Sequence, residues 1–132
     1  MQKFDIAVIL TCFNRKAKTI ACLEGLYSAQ KAYSDAEISL SVYLTDDGCT
    51  DGTSQAVRDT FMDKDITIMQ GDGNMYWAGG MRFAWKEALK KKDKWDFYLL
   101  LNDDTTPIDN MFHELLILTV CRLLENQVFI LV

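Results

Sequence analysis

The chain has 132 residues, of which 49% are hydrophobic and 25% are charged, and its formal net charge is −5. The length fits one domain, and the apolar fraction is too high for a disordered chain. An acidic balance offers no basic face to a phosphate backbone, so we do not expect nucleic acid as a partner. Because no stretch of about 20 residues is predominantly apolar, we expect a cytoplasmic protein, with peripheral membrane contact left open.

The four cysteines indicate a reducing compartment. Cys12, Cys22, Cys49 and Cys121 form no closely spaced pair, and His113 is the only histidine. A disulfide framework is typical of shorter, loop-rich secreted chains, and a zinc site would require these widely spaced residues to converge. We interpret all four as small buried residues.

Short apolar runs alternate along the chain with stretches of helical spacing. Strands are predicted at Ile6–Leu10, Ile38–Thr45, Ile66–Met69 and Phe97–Leu101, and helices at about 16–32, 53–61, 77–91 and 108–118. This alternation predicts an α/β fold, with a mostly parallel sheet and helices on both faces. The run at 97–101 is the most apolar, so we expect it to be the central strand. Residues 128–132 are expected to form a short apolar strand or an exposed end.

Acidic and small polar residues follow three of the predicted strands. They lie in Thr11–Arg15, Asp46–Gly48 and Asn102–Asp104. In open parallel sheets, ligands bind at the carboxyl ends of the strands, so these loops are expected to converge. Adjacent carboxylates repel each other and are costly to bury without a cation. Asp103 and Asp104 therefore form a candidate site for Mg²⁺ or Mn²⁺, the cations that prefer oxygen ligands.

Each of these features also has a structural interpretation. Asp51-Gly52 is an ordinary turn dipeptide. The segment Asp103–Pro107 can cap the helix that follows it, with the proline in the first turn. Three large side chains at helical spacing are more typical of a core than of a substrate platform: Trp77, Met81 and Trp85.

Taken together, four segments in this order resemble the nucleotide-binding part of the family 2 glycosyltransferases, which have the GT-A fold. The segments are Val8–Arg15, Leu44–Thr53, Gly71–Asn74 with Trp77–Met81, and Leu99–Thr105. The third resembles the donor-site segment of rhamnosyl- and galactofuranosyltransferases. The resemblance implies a Rossmann-like, nucleotide-sugar-binding GT-A region over residues 1–109, followed by a helical, apolar end over residues 110–132.

The resemblance also implies roles for particular residues. Thr11 is similar to the residue that meets the nucleotide at the end of the first strand. Asp47 is similar to the carboxylate that accepts a hydrogen bond from the base, and Asp46 would support its loop. The nucleotide-binding residues implied in this way are Thr11, Asn14, Asp46, Asp47, Asn74, Gly79 and Asp103.

The segment Asn102–Asp104 resembles the metal-binding DxD element of the family, with Asn102 in place of its first aspartate. The resemblance implies that Asp104 is a direct ligand of Mn²⁺ or Mg²⁺ and that Asp103 lies near the ribose or the metal. It further implies inverting transfer of a sugar from a nucleotide-sugar donor to a saccharide or lipid-linked acceptor. Peripheral membrane association of a full-length relative would fit such an acceptor.

After Asp109 the chain departs from the family pattern. The carboxylates that remain are Glu114 and Glu125, and neither lies in a recognisable base motif. No catalytic residue is assigned, because inverting transfer needs a general base for the acceptor hydroxyl and none is identified. We expect a truncated product that is poorly active alone.

Three other functions compete with this interpretation. One is a non-catalytic nucleotide-binding or interaction module with the same fold. A receiver-type phospho-acceptor domain would carry an acidic pair after the first strand, where this chain has Thr11–Asn14. A sugar nucleotidyltransferase would have a longer glycine-rich loop at that position.

Overall fold

The computed structural model describes residues 2–120 and 129–131, with the side chains of residues 2–117. Among the residues described there are five strands, namely β1 (Lys3–Cys12), β2 (Glu37–Asp46), β3 (Ile66–Gln70), β4 (Phe97–Leu100) and β5 (Phe129–Leu131). They form one sheet in the order β3-β2-β1-β4-β5, and every neighbouring pair is parallel. The predicted parallel α/β sheet is confirmed.

The helices are α1 (Lys16–Ala32), α2 (Thr53–Thr60), α3 (Tyr76–Leu89) and α4 (Met111–Val120). A single turn of 3-10 helix at Lys92–Lys94, which the sequence pattern does not predict, leads into β4. Helix α4 begins three residues later than predicted, because a turn precedes it in which the Met111 N–H donates to the Ile108 carbonyl at 2.9 Å.

The central strand is β1 and not β4, which corrects the prediction from apolar content. β1 has ten residues and pairs with β2 on one side and with β4 on the other. β4 lies between β1 and the short edge strand β5. An apolar run indicates that both faces of a strand are covered, and both faces of every interior strand of such a sheet are covered. It therefore does not single out the middle one.

Helices cover both faces of the sheet, as predicted. On one face α1, α2 and α4 bury the larger core, to which β1 contributes Ile6, Val8 and Leu10. On the other face α3 packs against Ala7 and Ile9, the alternate residues of the same strand. Met111, Phe112 and Leu116 of α4 belong to the larger core. The proposed boundary after residue 109 stays a prediction.

Within the described ranges, none of the helices is both long and apolar enough to cross a membrane. Cys121 and Glu125, which the sequence analysis singled out, lie outside those ranges.

The register of the sheet brings the three acidic or polar loops to one edge. Cys12, at the end of β1, is the pairing partner of Asp46, at the end of β2. After β4, the Leu101 N–H donates to the Ile9 carbonyl at 2.9 Å, so this strand ends at the same edge. The convergence expected of the carboxyl ends of parallel strands is therefore present.

Candidate functional site

The Asp47 carboxylate is buried and holds the loop that leads into α3. Its Oδ1 accepts the Gly73 N–H at 2.9 Å, its Oδ2 accepts the Tyr76 N–H at 2.9 Å, and the Met75 N–H lies 3.1 Å from Oδ2 and 3.3 Å from Oδ1. The first N–H groups of a helix have no partner within it and carry partial positive charge. Asp47 therefore caps α3 from the loop after β2 and fixes the chain between residues 73 and 76.

Two backbone features show how tightly this loop is fitted around Asp47. A side chain at Gly71 would place its Cβ only 2.7 Å from the Asp47 Oδ1, so the loop can pass here only without one. Tyr76 has a φ of 55°, a conformation that is costly for a bulky residue. The hydrogen bond from its N–H to Asp47 helps to offset that cost. The local strain therefore lies in a residue that lines the cavity described below.

Asp46 and Asn14 are occupied in the same manner, within the loops themselves. The Asp46 Oδ1 accepts the Cys49 N–H at 2.7 Å, and its Oδ2 accepts the Ser54 hydroxyl. The Asn14 Oδ1 accepts the Thr50 N–H at 2.7 Å, which ties the loop after β1 to the loop after β2. The side chains of these two predicted site residues thus stabilise the conformation of the loops after β1 and β2.

Asp51 has a structural role, in agreement with the interpretation of Asp51-Gly52 as a turn. Its Oδ1 accepts the N–H of Thr53 at 3.1 Å together with that residue's hydroxyl, and its Oδ2 accepts the Lys16 N–H at 3.0 Å. The hydroxyl of Thr53 is the main cause that holds the pKa of Asp51 below its ordinary value. Asp51 therefore stabilises the starts of α1 and α2.

Asp103 and Asp104 converge on one guanidinium group. The Arg15 Nη1 lies 3.4 Å from the Asp103 Oδ1 and 3.2 Å from the Asp104 Oδ2. Asp103 is buried, whereas Asp104 is exposed. Burial raises the pKa of Asp103, Arg15 opposes that rise, and the neighbouring carboxylate of Asp104 adds to it. A second positive charge at this point would stabilise both carboxylates.

The alternative in which Asp103–Pro107 caps the next helix is wrong. Helix α4 begins at Met111, and residues 105–108 precede it as irregular chain followed by a turn. The Thr105 N–H and hydroxyl both donate to the Asn102 carbonyl, at 3.2 and 2.7 Å, and close a turn directly after β4. The carboxylates of Asp103 and Asp104 therefore do not cap α4.

A cavity of about 300 Å³ opens among these loops. It is lined by Thr11, Cys12, Phe13, Arg15, Asp47, Gly73, Tyr76, Trp77 and Asp103. The Thr11 hydroxyl is buried and has no hydrogen-bond partner among the described residues. A Cβ at Gly80 would lie 2.5 Å from that hydroxyl oxygen, so the absence of a side chain on α3 makes room for Thr11. A buried hydroxyl without a partner costs free energy.

Trp77 lies at the cavity and not in the core. It is 51% exposed, and its indole N–H donates to the Asn102 Oδ1 at 2.9 Å. Met81 is buried and Trp85 is half-buried, both within or against the smaller core. The core interpretation therefore holds for those two and is wrong for Trp77. Its link to Asn102 was not predicted, because α3 and the loop after β4 are distant in sequence.

The cysteines differ from the interpretation as four equivalent buried residues. Cys12 and Cys22 are buried, but Cys49 is partly exposed. The Cys12 and Cys49 sulfur atoms lie 3.7 Å apart, although spacing in the sequence gave no sign of pairing. Cys12, Asp46 and Cys49 bring three donor atoms within 4.8 Å of one another, a set that suits a thiophilic cation such as Zn²⁺ better than Mg²⁺.

The structure gathers some of the predicted site residues at the cavity and leaves others beside it. Thr11, Asp47 and Asp103 line the cavity, and Asp104 joins them through Arg15. The remaining predicted residues, Asn14, Asp46, Asn74 and Gly79, are not part of the lining. Sequence reasoning missed Arg15 as the cation between the carboxylates. Its place four residues after Thr11, in the first polar loop, was the available signal.

Comparisons with known proteins show the family of the chain. The model of the family described as glycosyl transferase family 2 matches residues 7–118. The chain therefore belongs to glycosyl transferase family 2, as the resemblance implied, and its sequence corresponds to the N-terminal part of such an enzyme.

A solved structure, the crystal structure of S. aureus TarS 1-349, shares the fold with a TM-score of 0.62 at 20% sequence identity. The similarity covers 89% of this chain and 32% of that one, so the chain spans about a third of this neighbour. The Rossmann-like GT-A fold is thus confirmed. The comparison with curated proteins found no match.

Proposed function

We propose that the chain binds a nucleotide-sugar donor in the cavity beside Asp103, together with Mn²⁺ or Mg²⁺, as the donor half of an inverting glycosyltransferase. The observation that carries this proposal is the pair of carboxylates that follows β4. Asp103 lies on the cavity wall, and both carboxylates meet the same nitrogen of Arg15 within 3.4 Å. A diphosphate bound in the cavity would lie next to this charge cluster.

The donor set fits a divalent cation. Two carboxylate oxygens from adjacent residues already converge on one positively charged nitrogen, so the backbone here lets them share a single cation. Oxygen ligands of this kind are those that Mg²⁺ and Mn²⁺ prefer. Asp104, being exposed, would be the direct ligand and Asp103 the second. When bound, the cation would neutralise the negative charge that develops on the leaving nucleoside diphosphate.

The chain's own residues would bind and orient the donor. Thr11 lines the cavity, and its hydroxyl, which has no partner among the described residues, would hydrogen-bond to the nucleotide once the side chain turns toward the cavity. The half-exposed Trp77 ring, fixed by its bond to Asn102, offers an apolar face to a base or a sugar. Asp47 keeps the loop after β3 in place, and its position on the cavity wall is the support for a contact with the base.

We leave the general base unassigned. Asp47 and Asp103 are the carboxylates that line the cavity, and the first is engaged by backbone N–H groups while the second faces Arg15. An acceptor held in line with the anomeric carbon lowers the barrier by roughly 7–11 kcal/mol in favourable cases, and transfer also needs the general base that is left unassigned here. We therefore propose weak acceptor-dependent transfer by the isolated chain. The acceptor would be a saccharide or a lipid-linked acceptor in the cytoplasm.

Calorimetry with a panel of nucleoside diphosphates, in Mn²⁺ and in EDTA, tests donor binding. We expect one of the diphosphates to bind, more tightly in Mn²⁺ than in EDTA, and the matching monophosphate to gain less from the metal. A chain that binds none of them would contradict the proposal. Incubation with Mn²⁺, nucleotide-sugars and sugar acceptors separates a catalytic chain from a binding module, since only the former releases diphosphate faster when acceptor is present.

A further inference from the structure

Two thiols meet at the edge of the cavity, on loops that follow neighbouring strands. Cys12 ends β1, and Cys49 lies in the loop after β2. Their sulfur atoms are 3.7 Å apart, within van der Waals contact. Separate contacts direct Cys49 toward its partner, because its N–H donates to the Asp46 Oδ1 at 2.7 Å and its sulfur accepts the Asn14 N–H at 3.3 Å. Cys49 is therefore held at its N–H by the Asp46 carboxylate and at its sulfur by the Asn14 N–H.

We propose that Cys12 and Cys49 form an intramolecular disulfide when the chain meets a disulfide oxidant. A disulfide requires about 2.05 Å between the sulfur atoms, so the two must approach by less than 2 Å, which requires rotation about the Cα–Cβ bond of Cys49 and a small shift of its loop. The bond would join the end of β1 to the loop after β2, which the sheet already places side by side.

The difference in exposure sets the order of events. Cys49 is partly exposed, whereas Cys12 is 1% exposed. The Cys49 sulfur attacks the external disulfide, forms a mixed disulfide and releases one thiol. The Cys12 sulfur then attacks the Cys49 sulfur and releases the second thiol. The two protein thiols lose two electrons and two protons, which the external disulfide takes up as it becomes two thiols.

Burial raises the pKa of the Cys12 thiol, and the neighbouring Cys49 and Asp46 raise it further. Burial also raises the pKa of Cys49. The thiolate is the attacking form, so the exchange should be slow, on the scale of minutes to hours. The pair therefore stays reduced in a reducing compartment and responds to sustained oxidation.

A consequence for ligand binding rests on the proposed function. Thr11 and Asp47 lie next to the two cysteine-bearing segments, and Cys12 itself lines the cavity. Closing the disulfide would draw the Cys49 sulfur away from the Asn14 N–H and move the loop that carries Asp47. We expect the oxidised chain to bind nucleoside diphosphate more weakly than the reduced chain.

Oxidised glutathione, added in the presence of EDTA to exclude a bound metal, tests the disulfide without any nucleotide. Trypsin cuts after Lys3, Arg15, Lys31 and Arg58, so the thiols fall in peptides 4–15 and 32–58. We expect these two peptides to appear joined in the mass spectrum of the monomer, and two of the four thiols to be lost. The joined peptide should be absent from Cys12→Ser and from Cys49→Ser.

Cys22→Ser is the matched control, because Cys22 is a buried thiol whose sulfur lies 3.4 Å from the Asn102 carbonyl oxygen instead of a second sulfur. This variant should form the joined peptide as readily as the parent chain. A parent chain that stays fully reduced, or that links Cys49 only to glutathione, would overturn the proposal. A joined peptide with unchanged diphosphate affinity would overturn the coupling to the cavity, and a chain that binds no diphosphate in either state would instead contradict the proposed function.

Discussion

Two pairs of adjacent aspartates follow strands of the same sheet, and the structure treats them differently. Asp46 and Asp47 are both buried and accept hydrogen bonds from backbone N–H groups and from the Ser54 hydroxyl. Asp103 and Asp104 share the guanidinium of Arg15, and one of them is exposed. The negative charge of the first pair is stabilised by hydrogen bonds from the surrounding loops and from the start of α3. The second pair keeps charge that only a cation can balance.

This difference teaches that an Asp-Asp dipeptide at a strand end does not define a metal site. What decides is whether the carboxylate oxygens are already used. Oxygens that cap a helix or close a loop stabilise the fold, and removing them leaves buried N–H groups without acceptors. Carboxylate oxygens that lie beside each other and beside a single guanidinium, as at Asp103 and Asp104, are the ones available to a ligand. The two pairs should therefore respond to mutation in opposite ways.

The largest effect on stability is expected at Asp47. Asp47→Ala should lower the free energy of unfolding by about 2–4 kcal/mol, because the N–H groups of Gly73, Met75 and Tyr76 lose their acceptor. Asp104→Ala should lower it by less than about 1 kcal/mol, since this exposed ion pair is screened by water. Urea denaturation of both variants measures the contrast, and equal losses would erase the distinction between the two pairs.

A smaller effect, on binding instead of folding, is expected at Thr11. Thr11→Val removes the buried hydroxyl and should weaken nucleoside diphosphate binding about three- to twelvefold, the equivalent of one hydrogen bond. Stability should not fall, because the hydroxyl has no partner among the described residues. Thr11→Ser, which keeps the hydroxyl, serves as the control in the same calorimetric titration. If the valine variant bound as tightly as the parent, Thr11 would be a wall residue only.

The smallest effect is expected at Trp77. Trp77→Phe keeps a ring at the cavity but removes the N–H that bonds to Asn102, so diphosphate affinity should fall about two- to threefold. Trp95→Phe is the matched control, because it loses an indole bond to the Ala88 carbonyl against the smaller core, outside the cavity lining. Equal affinities for these two variants would show that the position of the Trp77 ring is not set by Asn102.

The sequence predicts the framework of this molecule well. The apolar runs and helical spacing locate the strands and helices to within a few residues, because each of these elements buries a continuous face against the core. Since the strands are parallel, the loops after them had to meet at one edge, and this placed Thr11, Asp47 and Asp103 around a common cavity.

The finer features of the site depend on contacts that local pattern does not carry. The Asp47 oxygens are occupied by N–H groups 26 to 29 residues further along the chain, which nothing in the dipeptide indicates. Arg15 bridges to a loop 88 residues away, and Cys12 meets Cys49 across two loops. Side-chain direction at loop positions is set by such long-range packing. It becomes visible only in three dimensions.

The role of the second aspartate pair can be measured most directly by titrating a nucleoside diphosphate into the parent chain, Asp104→Ala and Asp63→Ala, each in Mn²⁺ and in EDTA. Asp63 is an exposed aspartate that precedes β3, at the opposite edge of the sheet from the cavity, and pairs only weakly with Lys64. We predict that Mn²⁺ strengthens binding about tenfold or more in the parent chain and in Asp63→Ala, and that Asp104→Ala loses this gain while remaining folded. An Asp104→Ala variant that keeps the full Mn²⁺-dependent gain would contradict the assignment of Asp103 and Asp104 as the cation site.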